Sequence, residues 1–325
     1  WIEDMGVDGF RLDAARHYVE EGRTLMHTPA THSWLQAYRR HVRELAPEFL
    51  TVAEVWDVSD VVATYVGEDV DLAFEFSLAK AILQSVNDGS VTALASALKE
   101  VQRLYPQDGY ATFLTNHDQN RVMDVFIGDE EKARLAATIL LTLPGVPFLY
   151  YGEEIGMTGS KPDERIRTPL PWTAGAQAGF TTGTPWEPLS EGYEQHNVEA
   201  QLADPASLLS HYRSLIALRH AHPALRSQHL QVLESEDGKV FSYLRSTGEE
   251  AILVVVNLGL KEADAYALRS REGPLAPGRY AARDLLSGGE TEDLFVAEGG
   301  AVEGYQPLPI LPAKGALILE LQAAP

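Results

Sequence analysis

Three acids each close a short apolar run in this chain. Asp13 ends Gly9-Phe-Arg-Leu-Asp, Glu54 ends Phe49-Leu-Thr-Val-Ala-Glu, and Asp118 ends Phe113-Leu-Thr-Asn-His-Asp. Each run reads as a buried strand that emerges at a carboxylate, a pattern that gathers distant acids at one mouth when the strands are parallel. Sugar-bond hydrolysis needs such acids, one carboxylate as nucleophile and another as proton donor. Arg11 precedes Asp13 by two residues, so the pleat puts both side chains on the same side of the strand. A fixed guanidinium there keeps Asp13 ionised and aimed, or it forms an internal ion pair that only stabilises. Glu54 is flanked by Val52, Ala53, Val55 and Trp56, an apolar setting that favours its protonated form, although a lone glutamate after a strand is more often a surface acid. His117 and Asp118 are directional polar groups suited to adjacent sugar hydroxyls, or to a structural hydrogen bond with one another. Order and spacing make the combination stronger than any single acid.

The elements that must position these acids alternate along the first two thirds of the chain. Strands are expected at Gly6 to Leu12, Phe49 to Ala53, Val70 to Phe74, Ala111 to Leu114 and Pro147 to Tyr150. Helical sequence falls between them at Ser33 to Leu45, Ser59 to Tyr65, Leu78 to Leu104 and Glu131 to Leu143, the last halted by Pro144-Gly145. Strands alternating with helices predict a parallel sheet, open or closed into a barrel. A segment rich in Gly, Pro, Thr and Trp runs from Gly152 to about Pro205, long enough to be functional. An amphipathic helix follows at Ser207 to Arg219. Beyond about Ser227 the texture changes to strands at Lys239 to Arg245, Ala251 to Asn257 and Ala316 to Leu321, with Gly-containing turns between. Two domains are therefore expected: residues 1–226 as an α/β domain and residues 227–325 as an antiparallel β-sandwich.

Composition narrows the partners. The formal charge is −21, which argues against nucleic acid, whose phosphates would be repelled. No apolar run approaches the length that spans a bilayer, so no membrane partner is expected. With no cysteine there is no disulfide framework, thiol nucleophile or Cys-ligated metal, and the compartment stays open.

Gly9-Phe-Arg-Leu-Asp-Ala-Ala-Arg-His17, Ala53-Glu-Val-Trp56 and Phe113-Leu-Thr-Asn-His-Asp118 resemble three recurrent motifs of the α-amylase family of retaining glycoside hydrolases, and they occur in that family's order. The resemblance implies the C-terminal part of a (β/α)8 TIM barrel, strands four to eight, followed by the β domain. It implies Asp13 as nucleophile, Glu54 as general acid/base and Asp118 as the acid that grips the ring hydroxyls. Arg11 and His117 would line the same sugar subsite, and Arg16 and His17 the leaving-group side, where Arg16 replaces the family's usual lysine. The backbone carbonyl of His17 is implied as a calcium ligand, while no organic cofactor is. Trp56, with Trp34 and Tyr151, is a candidate for stacking on a sugar face or for packing.

The long loop narrows the resemblance further. Arg165 to Trp172, Ala178 to Trp186 and Asn197 to Gln201 are similar to enzymes acting on small α-glucans: α-glucosidases, trehalose synthases and an intermediate group of bacterial α-amylases. Leu170-Pro171 departs from the Met-Gln that members often carry, and Asn116 to Arg121 leans towards the intermediate amylases. Asp163 and Arg167 hold a further sugar subsite or form a loop salt bridge. The expected activity is hydrolysis of α-1,4-glucosidic bonds in starch or maltooligosaccharides, with glucosyl transfer as the close alternative and a non-catalytic relative as the remote one. By the same resemblance the barrel's first three strands have no counterpart before Trp1, and residues 1–325 alone are expected to be inactive.

Overall fold

The sheet that carries the acids is built from short parallel strands. The computed structural model describes residues 1–105 and 109–324, and these pack as two compact units. The first comprises Trp1–Lys80, Ser96–Phe113 and Gly145–Phe148, the second Ala81–Ala95, Leu114–Pro144 and Leu149–Pro325. These units cut across residue 226: helices that precede it group with the antiparallel strands that follow it.

In the first unit, β1 (Gly9–Leu12), β2 (Leu50–Ala53), β3 (Leu72–Phe74), β4 (Tyr110–Thr112) and β5 (Val146–Pro147) form one parallel sheet in sequential order. Sequential parallel order with helical connections is how a (β/α) barrel is assembled. Gly9 sets the first pairing. A Cβ on Gly9 would stand 2.4 Å from the Leu50 carbonyl oxygen, so only glycine lets β2 lie against β1 at this point. The register Leu12↔Ala53 then delivers Asp13 and Glu54 to adjacent strand ends.

Helices α1 (Pro29–Leu45) and α2 (Ser59–Ala63) belong to the first unit, while α3 (Phe76–Asp88) and α4 (Thr92–Leu104) each run from one unit into the other. Helix α1 starts earlier than the apolar pattern alone indicates. The Thr28 hydroxyl accepts the Thr31 N–H at 3.0 Å and Pro29 occupies the first turn, two standard start signals. Leu35 on α1 is fully buried with Leu12, Ala53, Val55 and Ala73, and Leu35→Ala would cost about 2–5 kcal/mol. The single helical stretch expected over Leu78 to Leu104 is two helices. The chain breaks at Gly89, whose φ is +65°, a conformation that favours glycine. Strand β5 stops at Pro147, with one further bond from Phe148 N–H to the Thr112 carbonyl at 2.7 Å. Tyr150 therefore leaves the strand in which the sequence places it.

The second unit contains α5 (Val122–Val125), α6 (Glu130–Thr142), α7 (Asp163–Ile166), α8 (Val198–Ala203), α9 (Leu208–Ala221) and α10 (Pro223–Arg226). Asp129 caps α6 by accepting from Lys132 N–H at 3.1 Å, and Ser207 caps α9 through Ser210 N–H at 3.1 Å. The strands that follow are β6 (Leu230–Ser235), β7 (Val240–Ser246), β8 (Ala251–Asn257), β9 (Leu268–Ser270), β10 (Gly278–Asp284), β11 (Leu294–Val296), β12 (Val302–Tyr305) and β13 (Ala316–Ala323). They do not form the expected sandwich. They close into one barrel in the order β10-β11-β12-β9-β6-β7-β8-β13, with β13 pairing back onto β10. Closure is possible because β6 pairs both β7 and β9, and an irregularity between Glu303 and Tyr305 bends β12 onto β9. A closed ring leaves no unpaired edge, which two stacked sheets would. Leu244, Leu253, Val255, Leu268, Leu294 and Leu319 fill the interior. On the outside, the buried Arg245 donates to the Thr142 carbonyl, and Tyr243 and Thr142 share a 2.5 Å hydroxyl contact, fastening β7 to the end of α6. Among the described residues no helix is long and apolar enough to cross a membrane.

Candidate active site

In the first unit, the ends of β1 and β2 bring Arg11, Asp13 and Glu54 together. One guanidinium serves both acids: Arg11 Nη1 lies 2.8 Å from Asp13 Oδ1 and Nη2 lies 2.5 Å from Glu54 Oε2. Charge-assisted bonds from a rigid planar donor hold both carboxylates in fixed directions. The backbone reinforces this, with Glu54 N–H donating to the Leu12 carbonyl at 2.9 Å and Ala15 N–H to the Glu54 carbonyl at 3.0 Å. Ala14, between them, adopts a left-handed conformation with φ 43°. A non-glycine residue is uncommon there, and strained positions of this kind cluster at functional sites. Glu54 is buried and Asp13 exposed. The apolar flanks of Glu54 are thus met by a cationic partner, so its surroundings are not the purely apolar ones its neighbours in sequence indicate. Glu54 Oε1 has no hydrogen-bond partner among the described residues.

Around this pair, Arg16 Nη1 donates to the Trp56 carbonyl and lies 3.2 Å from Asp57 Oδ2. Arg16 Nε donates to His17 Nε2 at 3.1 Å, and His17 Nδ1 lies 3.1 Å from the Leu25 carbonyl. Trp56 stacks on Phe76 with centroids 4.7 Å apart, while 44% of its surface stays exposed. One face therefore packs and part of the ring remains open for a ligand. Trp34 stacks on Tyr38 at 5.4 Å. Asp57 is the residue that sequence reasoning missed here. Its carboxyl is held below the usual range by the Val58 N–H, then by His27 and Arg16, and the only hint in sequence is its place directly after Trp56.

In the second unit a second cluster forms on the loop after β4. Arg167 Nη2 lies 2.7 Å from Asp118 Oδ1 and 2.9 Å from Asp163 Oδ2, while Arg167 Nε donates to the His117 carbonyl at 2.9 Å. His117 Nε2 stands 3.3 Å from Asp118 Oδ2, and Asp118 N–H donates to Asn116 Oδ1 at 2.9 Å. Asp163 also pairs with Lys161, whose hydrogen bond, ahead of the Arg167 charge, pulls its carboxyl below the usual range. Asp163 and Arg167 form the loop salt bridge, and the same Arg167 guanidinium nitrogen also reaches Asp118. In the same unit, Tyr150 and the exposed Tyr151 bond the carbonyls on either side of Arg167, and Arg121 lies over both rings. Their bonds span 16 to 30 residues, so no short sequence pattern marks these contacts.

Calcium takes six to eight oxygen ligands. The backbone carbonyl of His17 is an oxygen of this kind. The one trio of side chains among the described residues that could hold a metal is His222, Glu250 and Glu320, which excludes His17. No step below uses a metal ion.

Parallel strands joined by helices, followed in the chain by an antiparallel β domain, are an architecture of (β/α)-barrel enzymes. Residues 1–228 match the family described as "Alpha amylase, catalytic domain". Over 263 residues the chain is 35% identical to Alpha-amylase 3 of Dictyoglomus thermophilum, covering 79% of this chain and 51% of that protein. Over 303 residues it is 32% identical to a trehalose synthase of Thermus thermophilus, covering 78% of this chain and 31% of that one. Among solved structures, the alpha-amylase from H. orenii aligns with a TM-score of 0.76 at 32% identity, covering 98% of this chain and 61% of that chain. The chain belongs to the α-amylase family. It spans about half the length of the Dictyoglomus relative and about a third of the Thermus one.

Proposed function

We propose that this chain carries the acids of a retaining glycoside hydrolase that cleaves α-1,4-glucosidic bonds in starch and maltooligosaccharides. The observation that carries the reading is the single Arg11 guanidinium bonded to both Asp13 and Glu54. In the first step Asp13 attacks the anomeric carbon, Glu54 gives its proton to the glycosidic oxygen, and the carbon–oxygen bond to the leaving sugar breaks. In this reading the proton comes from Oε1, which has no hydrogen-bond partner among the described residues. In the second step Glu54 takes a proton from water, the water oxygen bonds the anomeric carbon, and Asp13 leaves. Asp118 binds ring hydroxyls and stabilises the positive charge that develops on the sugar. His117, Arg167 and Asp163 shape that subsite, and Arg16, His17 and Trp56 serve the leaving-group side. In this reading β1 to β5 are the fourth to eighth strands of the family barrel.

A glucosyl-transferring reading is favoured by the 32% identity to the trehalose synthase. Product analysis with maltoheptaose separates the two. Hydrolysis gives shorter maltooligosaccharides with retained α configuration at the new reducing end, read by proton NMR at early time. Products with the opposite configuration would overturn the retaining mechanism, and rearranged disaccharides without net water uptake would favour transfer.

A further inference from the structure

Arg167 reaches Asp118 from a loop, and loops hold a long side chain in one direction only when their backbone is fixed on both sides. Here the two carbonyls that flank Arg167 are each held by a tyrosine. The Tyr150 hydroxyl donates to the Ile166 carbonyl at 2.8 Å, and the Tyr151 hydroxyl to the Thr168 carbonyl at 2.7 Å. The tyrosines in turn are organised by Arg121. Its guanidinium lies over both rings, 4.6 Å from the centroid of Tyr150 and 4.7 Å from that of Tyr151, and its Nη1 donates to the Tyr151 carbonyl at 2.6 Å. The Arg121 backbone N–H also donates to the Gly159 carbonyl at 2.9 Å. Arg121 is 2% exposed, and its Nε and Nη2 find no hydrogen-bond partner among the described residues. The grip on the tyrosines is therefore mainly cation–π, which a buried, weakly hydrated planar guanidinium makes well. Gly152 completes the corner: its φ is +82°, and a Cβ there would meet Met157 Sδ at 2.1 Å and Arg121 Nη1 at 3.1 Å.

We propose that Arg121, Tyr150 and Tyr151 are positioning residues for Asp118, acting through the backbone on either side of Arg167. The order of the relay is Arg121 to the two tyrosine rings, their hydroxyls to the Ile166 and Thr168 carbonyls, and Arg167 to Asp118. None of the three touches the sugar in this account. Their effect on turnover passes entirely through the direction of the Arg167 guanidinium.

This inference rests on the role proposed for Asp118, and a double-mutant cycle in the complete enzyme tests it. The four proteins are the parent, Tyr150→Phe with Tyr151→Phe, Arg167→Met, and the combination, each assayed for kcat/KM on maltoheptaose. Losing the two hydroxyls should lower kcat/KM about tenfold in the parent and less than twofold once Arg167 is gone. Equal losses in both backgrounds would overturn the relay, because a structural effect on the loop does not depend on Arg167. Should the double tyrosine variant fail to fold, Tyr151→Phe alone, at a partly exposed ring, gives the same two readings with a loss of about fivefold in the parent. Asp118→Asn is assayed beside them. If that variant keeps full activity, the role of Asp118 fails. If it loses activity while the tyrosine and Arg167 effects stay independent, the relay alone is wrong.

Discussion

Arg11 holds Glu54 from the neighbouring strand, Nη2 to Oε2 at 2.5 Å, while its other terminal nitrogen holds Asp13 at 2.8 Å. The two carboxylates proposed to perform opposite tasks thus share one fixed donor. The pairing follows from backbone register: Arg11 faces Val52 across the ladder, Leu12 faces Ala53, and both acids stand one residue beyond it.

Arg11→Lys should therefore lower kcat/KM at least tenfold while keeping the charge. A lysine ammonium cannot make two parallel bonds from one rigid plane. Steady-state kinetics on maltoheptaose measure this, and a loss below threefold would show that the bridge contributes no catalytic geometry.

Glu54→Gln should nearly abolish hydrolysis of natural glucans, since the amide has no proton to give; such a donor contributes roughly 10²–10⁴-fold. Glucosides with very good leaving groups need little protonation and should lose much less in the glycosylation step. Pre-steady-state rates for both substrate types decide the matter. Equal losses would remove Glu54 from the acid/base role.

Glu153 supplies a pH dependence of stability that is separate from catalysis. Burial pushes its carboxyl up to about 8 from the usual 4.5, against a hydrogen bond from Tyr212 that lowers it. The folded protein then holds a proton that the unfolded chain has released, so stability is full below about 4.5 and falls as pH rises towards 8. Glu153→Gln cannot ionise and should flatten this part of the curve, making the variant gain on the parent between pH 5 and pH 8. Thermal melts across that range test it, and parallel curves for the two proteins would refute the assignment.

The sequence exposed Asp13 and Glu54 as strand-end acids, and the structure puts them one residue beyond β1 and β2. Asp118, expected at a strand end too, lies on the loop well past the end of β4 at Thr112. The sequence did not expose the Arg11–Glu54 bond, which crosses between strands 43 residues apart. Nor could it reveal the Arg121 relay, whose partners are carbonyls and ring faces, groups that every residue or many residues offer. The β-sandwich expectation failed for a related reason. Strands such as Leu268–Ser270 and Leu294–Val296 are only three residues long, too short for alternation to show. Without them the ring cannot be seen to close. Tyr150 reads as strand in the sequence, whereas in the structure it lies past β5 and its hydroxyl donates to the Ile166 carbonyl.

Asp13 is proposed to form a covalent bond to the sugar. Incubating the complete enzyme with a fluorinated glucosyl donor, whose electron-poor ring slows the second step, and mapping the labelled peptide by mass spectrometry tests it directly. The account predicts a single glucosyl adduct on Asp13, absent in Asp13→Asn and still formed on Asp13 in Asp118→Asn, though more slowly. An adduct on Asp118, or on any residue other than Asp13, would contradict it.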